Sequence, residues 1–155
     1  MLLANLQSKK VGNAFEDILS RHAIQIGAKL TQMPSGCKWV GKRAIPVRTE
    51  FDFFFAYQGR SIVFDAKTLK TSGFSYSTIT PHQMNSLYEF ECQGICAGYV
   101  IWFRGTDQVV FVKASALRAL KPRCSIGPND GLMLGSIRDF DLRTILNATR
   151  PKPKE

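Results

Sequence analysis

Apolar residues near the start of the chain recur at helical spacing. Val11, Phe15, Leu19 and Ile26 lie four or seven residues apart, which places their side chains on one face of an α-helix. We therefore predict a first helix from Ser8 to Gly27, ended by the glycine.

Two runs rich in β-forming residues follow a stretch of mixed character. Residues 28–48 contain two prolines and two glycines between basic residues, which indicates a loop or a short hairpin. Thr49–Tyr57 and Arg60–Lys67 are then predicted as two strands, joined by a Gln58-Gly59 turn.

A polar segment from Thr68 to Ile79 leads into a second predicted helix. Thr80 suits the N-cap and Pro81 the first helical position, while Gln83 would complete a Thr-x-x-Gln capping box. This helix is expected to end near Gln93, because Gly94 follows it.

The remaining pattern predicts two more strands and a short helix. Ile95–Phe103 is mostly apolar and uncharged, as in a strand buried on both faces, and Gln108–Lys113 is its expected antiparallel neighbour. Ala114–Leu120 is predicted as a helix. The order helix, strand, strand, helix, strand, strand, helix implies an α/β fold with a mixed central sheet flanked by helices.

The hydrophobic content of 45% over 155 residues suits one compact domain. We predict a single domain over residues 1–149 and a basic, disordered tail over residues 150–155. No apolar run is long enough to span a bilayer and no signal segment opens the chain, so we expect a cytoplasmic protein with no membrane partner.

The first hairpin places two carboxylates opposite each other. In a tight antiparallel hairpin the numbers of paired residues have a constant sum, which the Gln58-Gly59 turn sets at 117. Asp52 and Asp65 have that sum, so their Cβ atoms are expected roughly 4.5 to 5.5 Å apart. Such a pair needs a shared proton or a cation, and Mg²⁺ prefers carboxylate oxygens and water.

Lys67 follows on the same face as Asp65, because side chains alternate along a strand. The same register pairs Lys67 with Glu50. Two interpretations stay open at this point. Lys67 could stabilise charge at a reacting phosphate, or the segment could be an ordinary hairpin with surface aspartates and a Glu50–Lys67 salt bridge.

The charge balance favours a nucleic-acid partner. The formal net charge is +9, and lysine or arginine that neutralises a phosphate releases bound counterions. Lys38, Lys42, Arg43 and Lys70 lie in segments on either side of the hairpin and are the candidate DNA-binding residues. The four cysteines form no Cys-x-x-Cys pair, so we expect reduced thiols and no zinc site.

Six short segments together resemble the PD-(D/E)XK nuclease core and, within it, the RecU-type Holliday-junction resolvases. They lie in family order over roughly residues 11 to 117: Gly12-Asn13-Ala14-Phe15-Glu16, Phe51-Asp52-Phe53-Phe54, Val63-Phe64-Asp65-Ala66-Lys67, His82-Gln83, Gln93-Gly94-Ile95-Cys96 and Asp107-Gln108-Val109-Val110-Phe111. The resemblance implies a restriction-endonuclease-like fold.

By that resemblance, Asp52 and Asp65 are metal ligands and Lys67 stabilises charge. Glu16 would be an acidic helper from the first helix, and Gln83 would orient a ligand or a metal-bound water. The implied cofactor is Mg²⁺, with Mn²⁺ as a possible substitute. Two departures stand out: Asp65 stands where the family usually has Glu, and the segment before Asp52 is shorter than the family's projecting stalk.

The implied activity is metal-dependent DNA hydrolysis that resolves four-way junctions, carried out by a homodimer because one domain of this size holds one site. The alternatives are a nickase or flap-cutting enzyme with the same core, an RNA-directed enzyme, and a non-catalytic basic DNA-binding module. Metal-dependent cleavage separates the last from the others.

Overall fold

The computed structural model describes residues 2–34 and 36–150. Its helices are α1 (Leu2–Gln25), α2 (Pro81–Cys92), α3 (Ala114–Arg118) and α4 (Arg143–Ala148). Its strands are β1 (Lys29–Gln32), β2 (Cys37–Val40), β3 (Arg43–Pro46), β4 (Phe53–Tyr57), β5 (Arg60–Leu69), β6 (Phe74–Ser75), β7 (Cys96–Phe103), β8 (Gln108–Lys113), β9 (Ser125–Ile126) and β10 (Leu132–Gly135).

Six strands form one mixed sheet in the order β1-β4-β5-β7-β8-β10. Only β5 and β7 are parallel, and all other neighbours in this sheet are antiparallel. A parallel pair needs a long crossover connection, and α2 supplies it. The predicted α/β fold with a mixed sheet and flanking helices is confirmed.

The β4–β5 hairpin has the predicted register. Phe53 pairs with Phe64 and Tyr57 with Arg60. Both turn residues have positive φ, 48° at Gln58 and 74° at Gly59, as in the type I′ turn whose twist matches that of a two-stranded hairpin. This two-residue turn fixes the register of every residue pair along the two strands.

Alternation along β4 and β5 divides the core between the two faces of the sheet. Phe53, Phe55, Ile62 and Phe64 are fully buried on the face covered by α1 and α4. Val63 lies on the opposite face, with the residues that α2 and α3 cover. The side chains of the hairpin therefore contribute to both layers of the core.

Several predicted boundaries differ from the structure. The first helix begins at Leu2 rather than Ser8 and ends at Gln25, with Gly27 at φ 71° just beyond it. β5 continues to Leu69, two residues past its predicted end, because the parallel partner β7 extends the ladder. The third helix ends at Arg118.

The segment at 28–48 contains more structure than a single loop or hairpin. β1 adds an edge strand to the main sheet, while β2 and β3 form a separate two-stranded hairpin. Beyond α3, residues 121–149 form β9, β10 and α4, which the pattern did not predict.

No helix within residues 2–34 and 36–150 combines the length and apolarity needed to cross a membrane. Of the predicted tail, Arg150 is described and residues 151–155 lie outside the described residues. The single domain over residues 1–149 stays a prediction.

Candidate active site

Asp52 and Asp65 meet at one end of the β4–β5 hairpin. Asp52 immediately precedes β4, and the observed register continues to place it opposite Asp65 on β5. Asp65 is fully buried because its strand has neighbours on both sides and lies beneath α2, whereas Asp52 is only half-buried at the strand end.

The two carboxyl groups are close enough to share a proton. Burial raises the pKa of Asp52 to about 8, reinforced by a hydrogen bond with Asp65 and by the negative charge of Asp65. The ammonium of Lys67 acts in the opposite direction but does not cancel these effects. Without a cation, the pair therefore holds a proton at neutral pH.

Lys67 pairs with Asp65 rather than with Glu50. Its Nζ atom lies 2.8 Å from Asp65 Oδ2, and its side chain is 31% exposed. Glu50 is exposed, and no ion pair joins it to Lys67 in the part of the chain that the structure describes. The surface salt bridge of the ordinary-hairpin interpretation is absent from those residues, and Lys67 faces the carboxylates.

Gln83 belongs to this group and not to a capping box. Its Nε2 donates to Asp65 Oδ1 at 3.2 Å. Thr80 precedes α2 with Pro81 at the first helical position, as predicted, but its side chain makes no capping hydrogen bond. The predicted capping box is wrong, because the Gln83 amide turns toward the sheet, where a buried carboxylate accepts its hydrogen bond.

Glu16 approaches the site from α1. Its Oε2 atom accepts a hydrogen bond from Gln32 Nε2 at 2.9 Å, which ties the helix to the end of β1. The negative charge of Glu16 also raises the pKa of Asp52, the weakest of the effects on that group. Glu16 is thus at the edge of the carboxylate pair rather than in contact with it.

Tyr99 is a residue of this site that the sequence pattern did not reveal. It pairs with Asp65 across the parallel β5–β7 ladder, is fully buried, and packs against Phe74 with ring centroids 5.8 Å apart. Its hydroxyl has no hydrogen-bond partner in residues 2–34 and 36–150. Burial raises the pKa of Tyr99, and the charges of Asp65 and Asp52 raise it further.

The donor set fits a hard divalent cation that keeps part of its water shell. Asp65 Oδ2 is buried and, despite its contact with Lys67, makes no hydrogen bond. Among the described residues no three His, Cys, Asp or Glu side chains converge. Mg²⁺ typically binds one or two carboxylates and fills its other positions with water and substrate phosphate, so Asp52 and Asp65 suffice. Cys92, Cys96 and Cys124 are free thiols.

The four candidate DNA-binding residues are exposed and lie on two separate segments. Lys38, Lys42 and Arg43 lie on the β2–β3 hairpin, and Lys70 directly follows β5. The chain passes beside Asp52 just before it enters this hairpin. The Met33 N–H donates to Asp52 O at 2.8 Å. The hairpin's large exposed apolar side chains are Trp39, Val40, Ile45 and Val47.

The chain was compared with curated proteins and with solved structures. No curated protein matches the chain. Among solved structures, Hjc of Archaeoglobus fulgidus, a Holliday junction resolvase from an archaeal hyperthermophile, shares the fold with a TM-score of 0.56. It is 15% identical, and the match covers 79% of this chain and 95% of that one.

The family comparison matches residues 22–129 to RecU, recombination protein U. This region is more than half of the chain and includes Asp52, Asp65, Lys67 and Gln83. The match begins after Glu16, includes the β2–β3 hairpin and reaches beyond α3 to the 3-10 turn before β10. The chain therefore belongs to the RecU family, the family of Holliday-junction resolvases that its motifs resemble.

Proposed function

We propose that this protein is a Mg²⁺-dependent endonuclease that resolves four-way DNA junctions by phosphodiester hydrolysis. The observation that carries the proposal is the Asp52–Asp65 pair, with Asp65 fully buried and Lys67 Nζ 2.8 Å from it, in a chain of the RecU family. A carboxylate pair that retains a proton unless a cation replaces it is suited to metal-dependent chemistry.

Each residue has a distinct role in this proposal. Asp52 and Asp65 hold the ion, with Mn²⁺ as a substitute for Mg²⁺. A bound ion would acidify a water molecule and neutralise charge on the phosphate. Lys67 presents a compact positive charge where the phosphate gains negative charge in the transition state. Gln83 holds Asp65 through its Oδ1 atom, while Oδ2 faces Lys67.

Glu16 has a weaker, electrostatic part in the same proposal. Gln32 holds its carboxylate at the edge of the site, where it adds negative charge that favours cation binding. A carboxylate at this edge can also accept a proton from a water molecule bound between it and the ion.

The basic hairpin and Lys70 would hold the DNA backbone on either side of the scissile phosphate. The segment leading into the hairpin lies beside Asp52, and Lys70 lies five residues beyond Asp65 along the chain, so phosphates bound to them would flank the one being cut. The exposed Trp39 side chain, 70% accessible, offers an aromatic surface on which an unpaired base can stack.

Resolution of a junction requires two symmetric cuts. Each chain presents one carboxylate pair among its described residues, so we propose a homodimer in which each subunit cuts one strand. The shared fold of Hjc, itself a Holliday junction resolvase, supports this substrate.

Replacing the four basic residues tests the proposed DNA track. In Lys38→Ala, Lys42→Ala, Arg43→Ala and Lys70→Ala, binding should weaken alike for all DNA sequences. The slope of log K against log salt should fall by about one unit for each residue that contacts a phosphate. Filter binding in Ca²⁺ at several salt concentrations measures this slope, and an unchanged slope in the quadruple variant would place the track elsewhere.

Cleavage of a synthetic four-way junction, beside linear duplex and a flap of the same sequence, tests the function itself. We expect paired, symmetric nicks in the junction in Mg²⁺ and none in EDTA. Preferred cutting of the flap would favour the flap-nuclease alternative. Tight binding without cleavage in either Mg²⁺ or Mn²⁺ would leave only a DNA-binding module.

A further inference from the structure

A second polar cavity lies at the turn end of the β4–β5 hairpin, away from the carboxylates. It has a volume of about 460 Å³ and is open to solvent beside the β4–β5 turn. Arg60 begins β5 and Asp65 lies five residues along it, so their Cα atoms are roughly 17 Å apart at about 3.3 Å per residue. No residue of this cavity belongs to the active site described above.

Three arginines and one aspartate give the cavity a positive charge. Arg60, Arg143 and Arg150 line it together with Asp141, Tyr57 and Asn147. Three guanidinium groups against one carboxylate leave two uncompensated positive charges, because arginine stays protonated in proteins.

Asp141 forms an ion pair with Arg143. Arg143 Nε donates to Asp141 Oδ1 and Oδ2, each at 3.0 Å, and Arg143 Nη2 donates to Oδ2 at 2.8 Å. These hydrogen bonds lower the pKa of Asp141, which is therefore ionised at neutral pH. Within residues 2–34 and 36–150, neither Arg60 nor Arg150 lies within ion-pair distance of a carboxylate.

The cavity is preorganised on the side of Arg60. Arg60 is half-buried, and its Nη2 donates to Thr149 Oγ1 at 3.3 Å. Thr149 in turn donates to the carbonyls of Ile145 and Leu146 at the end of α4. Arg143 lies over the Tyr57 ring, 5.7 Å from its centroid. Side chains held in place before binding lose little entropy when an anion arrives.

We propose that this cavity is a phosphate-binding site. A guanidinium group offers paired N–H donors that match phosphate oxygens, and Arg60 and Arg150 supply two such groups that no carboxylate of the described residues neutralises. The Asn147 side chain adds a neutral amide beside them. The phosphate is either a backbone phosphate of DNA away from the cut or a free phosphate group, and the same arginines recognise both.

The test uses the full chain, with Arg60→Gln, Arg150→Gln and the double variant, in EDTA for the phosphate titration and in Ca²⁺ for DNA binding. Arg138→Gln is the matched control, because Arg138 is exposed and does not line this cavity. Arg150 is exposed two residues beyond α4, so we expect its replacement to leave folding unchanged, and equal melting temperatures establish this for each variant.

The first arm is titration with inorganic phosphate, followed through the Nε–H resonances of the arginines by NMR. We expect the Arg60 and Arg150 signals to shift in a saturable way in the wild type. In the double variant the remaining Arg143 signal should need at least tenfold more phosphate, while Arg138→Gln behaves as wild type.

The second arm measures affinity for junction DNA against salt. If the phosphate belongs to DNA, the salt slope of the double variant falls by about one to two units. If the site takes free phosphate only, the slope is unchanged while the first arm still responds, and the proposal stands. It is overturned if Arg60 and Arg150 respond no more than Arg138 in the first arm and the slope is also unchanged. Mg²⁺-dependent cleavage is measured separately, so loss of this cavity would leave the proposed nuclease intact.

Discussion

Asp52→Asn will abolish DNA cleavage and at the same time stabilise the metal-free protein above neutral pH. The variant removes one of the two proposed metal ligands, so no ion can be held against the scissile phosphate. It also removes the group whose burial and closeness to Asp65 disfavour ionisation in the folded state. DNA binding in Ca²⁺ or EDTA should be retained or improved, because one negative charge is lost.

The pH dependence of stability follows from the direction of this pKa shift. The folded-state pKa of Asp52 is raised from 3.8 to about 8. Its protonated form therefore contributes stability that is fully present below the unfolded pKa and is lost as pH rises through the folded one. Metal-free wild type should lose stability between about pH 4 and pH 8, and Asp52→Asn should lose less.

The expected difference at pH 8 is modest, because Asp52 is only half-buried and solvent screens its charge. We expect Asp52→Asn to raise the free energy of unfolding by about 1 kcal/mol, which corresponds to a gain of roughly 2–4 °C in melting temperature. Calorimetry in EDTA from pH 5 to pH 9 measures it. Adding Mg²⁺ or Ca²⁺ should raise the melting temperature of the wild type and leave Asp52→Asn nearly unchanged.

Asp17→Asn is the control, because Asp17 is exposed on α1 next to Glu16 and lies outside the carboxylate pair. Asp65→Asn should abolish cleavage as completely, but its gain in stability should be smaller, since it leaves Lys67 without its partner. Near wild-type cutting by Asp52→Asn or Asp65→Asn would reject this pair as the metal site.

Lys67→Ala will slow the chemical step by a hundredfold or more while affinity for uncut DNA changes little. Its Nζ atom faces a fully buried carboxylate rather than the exposed Glu50. Loss of a charge that acts only at the transition state appears in kcat and not in binding. Single-turnover cleavage of a labelled junction at saturating protein measures this step directly.

The free energy of unfolding distinguishes Lys67→Ala from the loss of an ordinary surface ion pair. An exposed pair is worth about 0 to 1 kcal/mol, whereas removal of the partner of a buried carboxylate leaves that charge poorly compensated. Lys67→Ala should therefore cost roughly 1–3 kcal/mol in the metal-free protein. Lys121→Ala, at an exposed lysine beyond α3, is the matched control for both measurements.

Lys67→Arg is the sharper probe, because it keeps the positive charge and can keep the ion pair with Asp65. It presents a broad planar group where a compact ammonium is needed. We expect normal folding and binding but poor cleavage. Wild-type rates in both Lys67→Arg and Lys67→Ala would make Lys67 a structural partner of Asp65 and remove it from the proposed chemistry.

Local chemistry was sufficient to predict the centre of this site. The opposition of Asp52 and Asp65 depends on a two-residue turn and on the alternation of side chains, and both act over fewer than twenty residues of chain. Lys67 follows from the same alternation. The family resemblance added Gln83 and Glu16, which lie on separate helices.

The hydrogen-bond partner of Gln83 could not be predicted from local spacing. The spacing Thr80 to Gln83 matches a capping box, yet the Gln83 amide donates to Asp65. A side chain on the first turn of a helix can reach either the helix backbone or a neighbouring element. Only the packing of α2 over β5 decides which acceptor is nearer.

The sequence by itself determined the first three helices, the central hairpin and the pairing of its two aspartates, because these depend on local spacings along the chain. Only the tertiary structure decided what surrounds them. Tyr99 comes to lie beside Asp65 through the parallel β5–β7 pairing, and Arg60 meets Arg143 and Arg150 across more than eighty residues of chain. Contacts of this range are set by the packing of the whole sheet and its helices, which no local periodicity encodes.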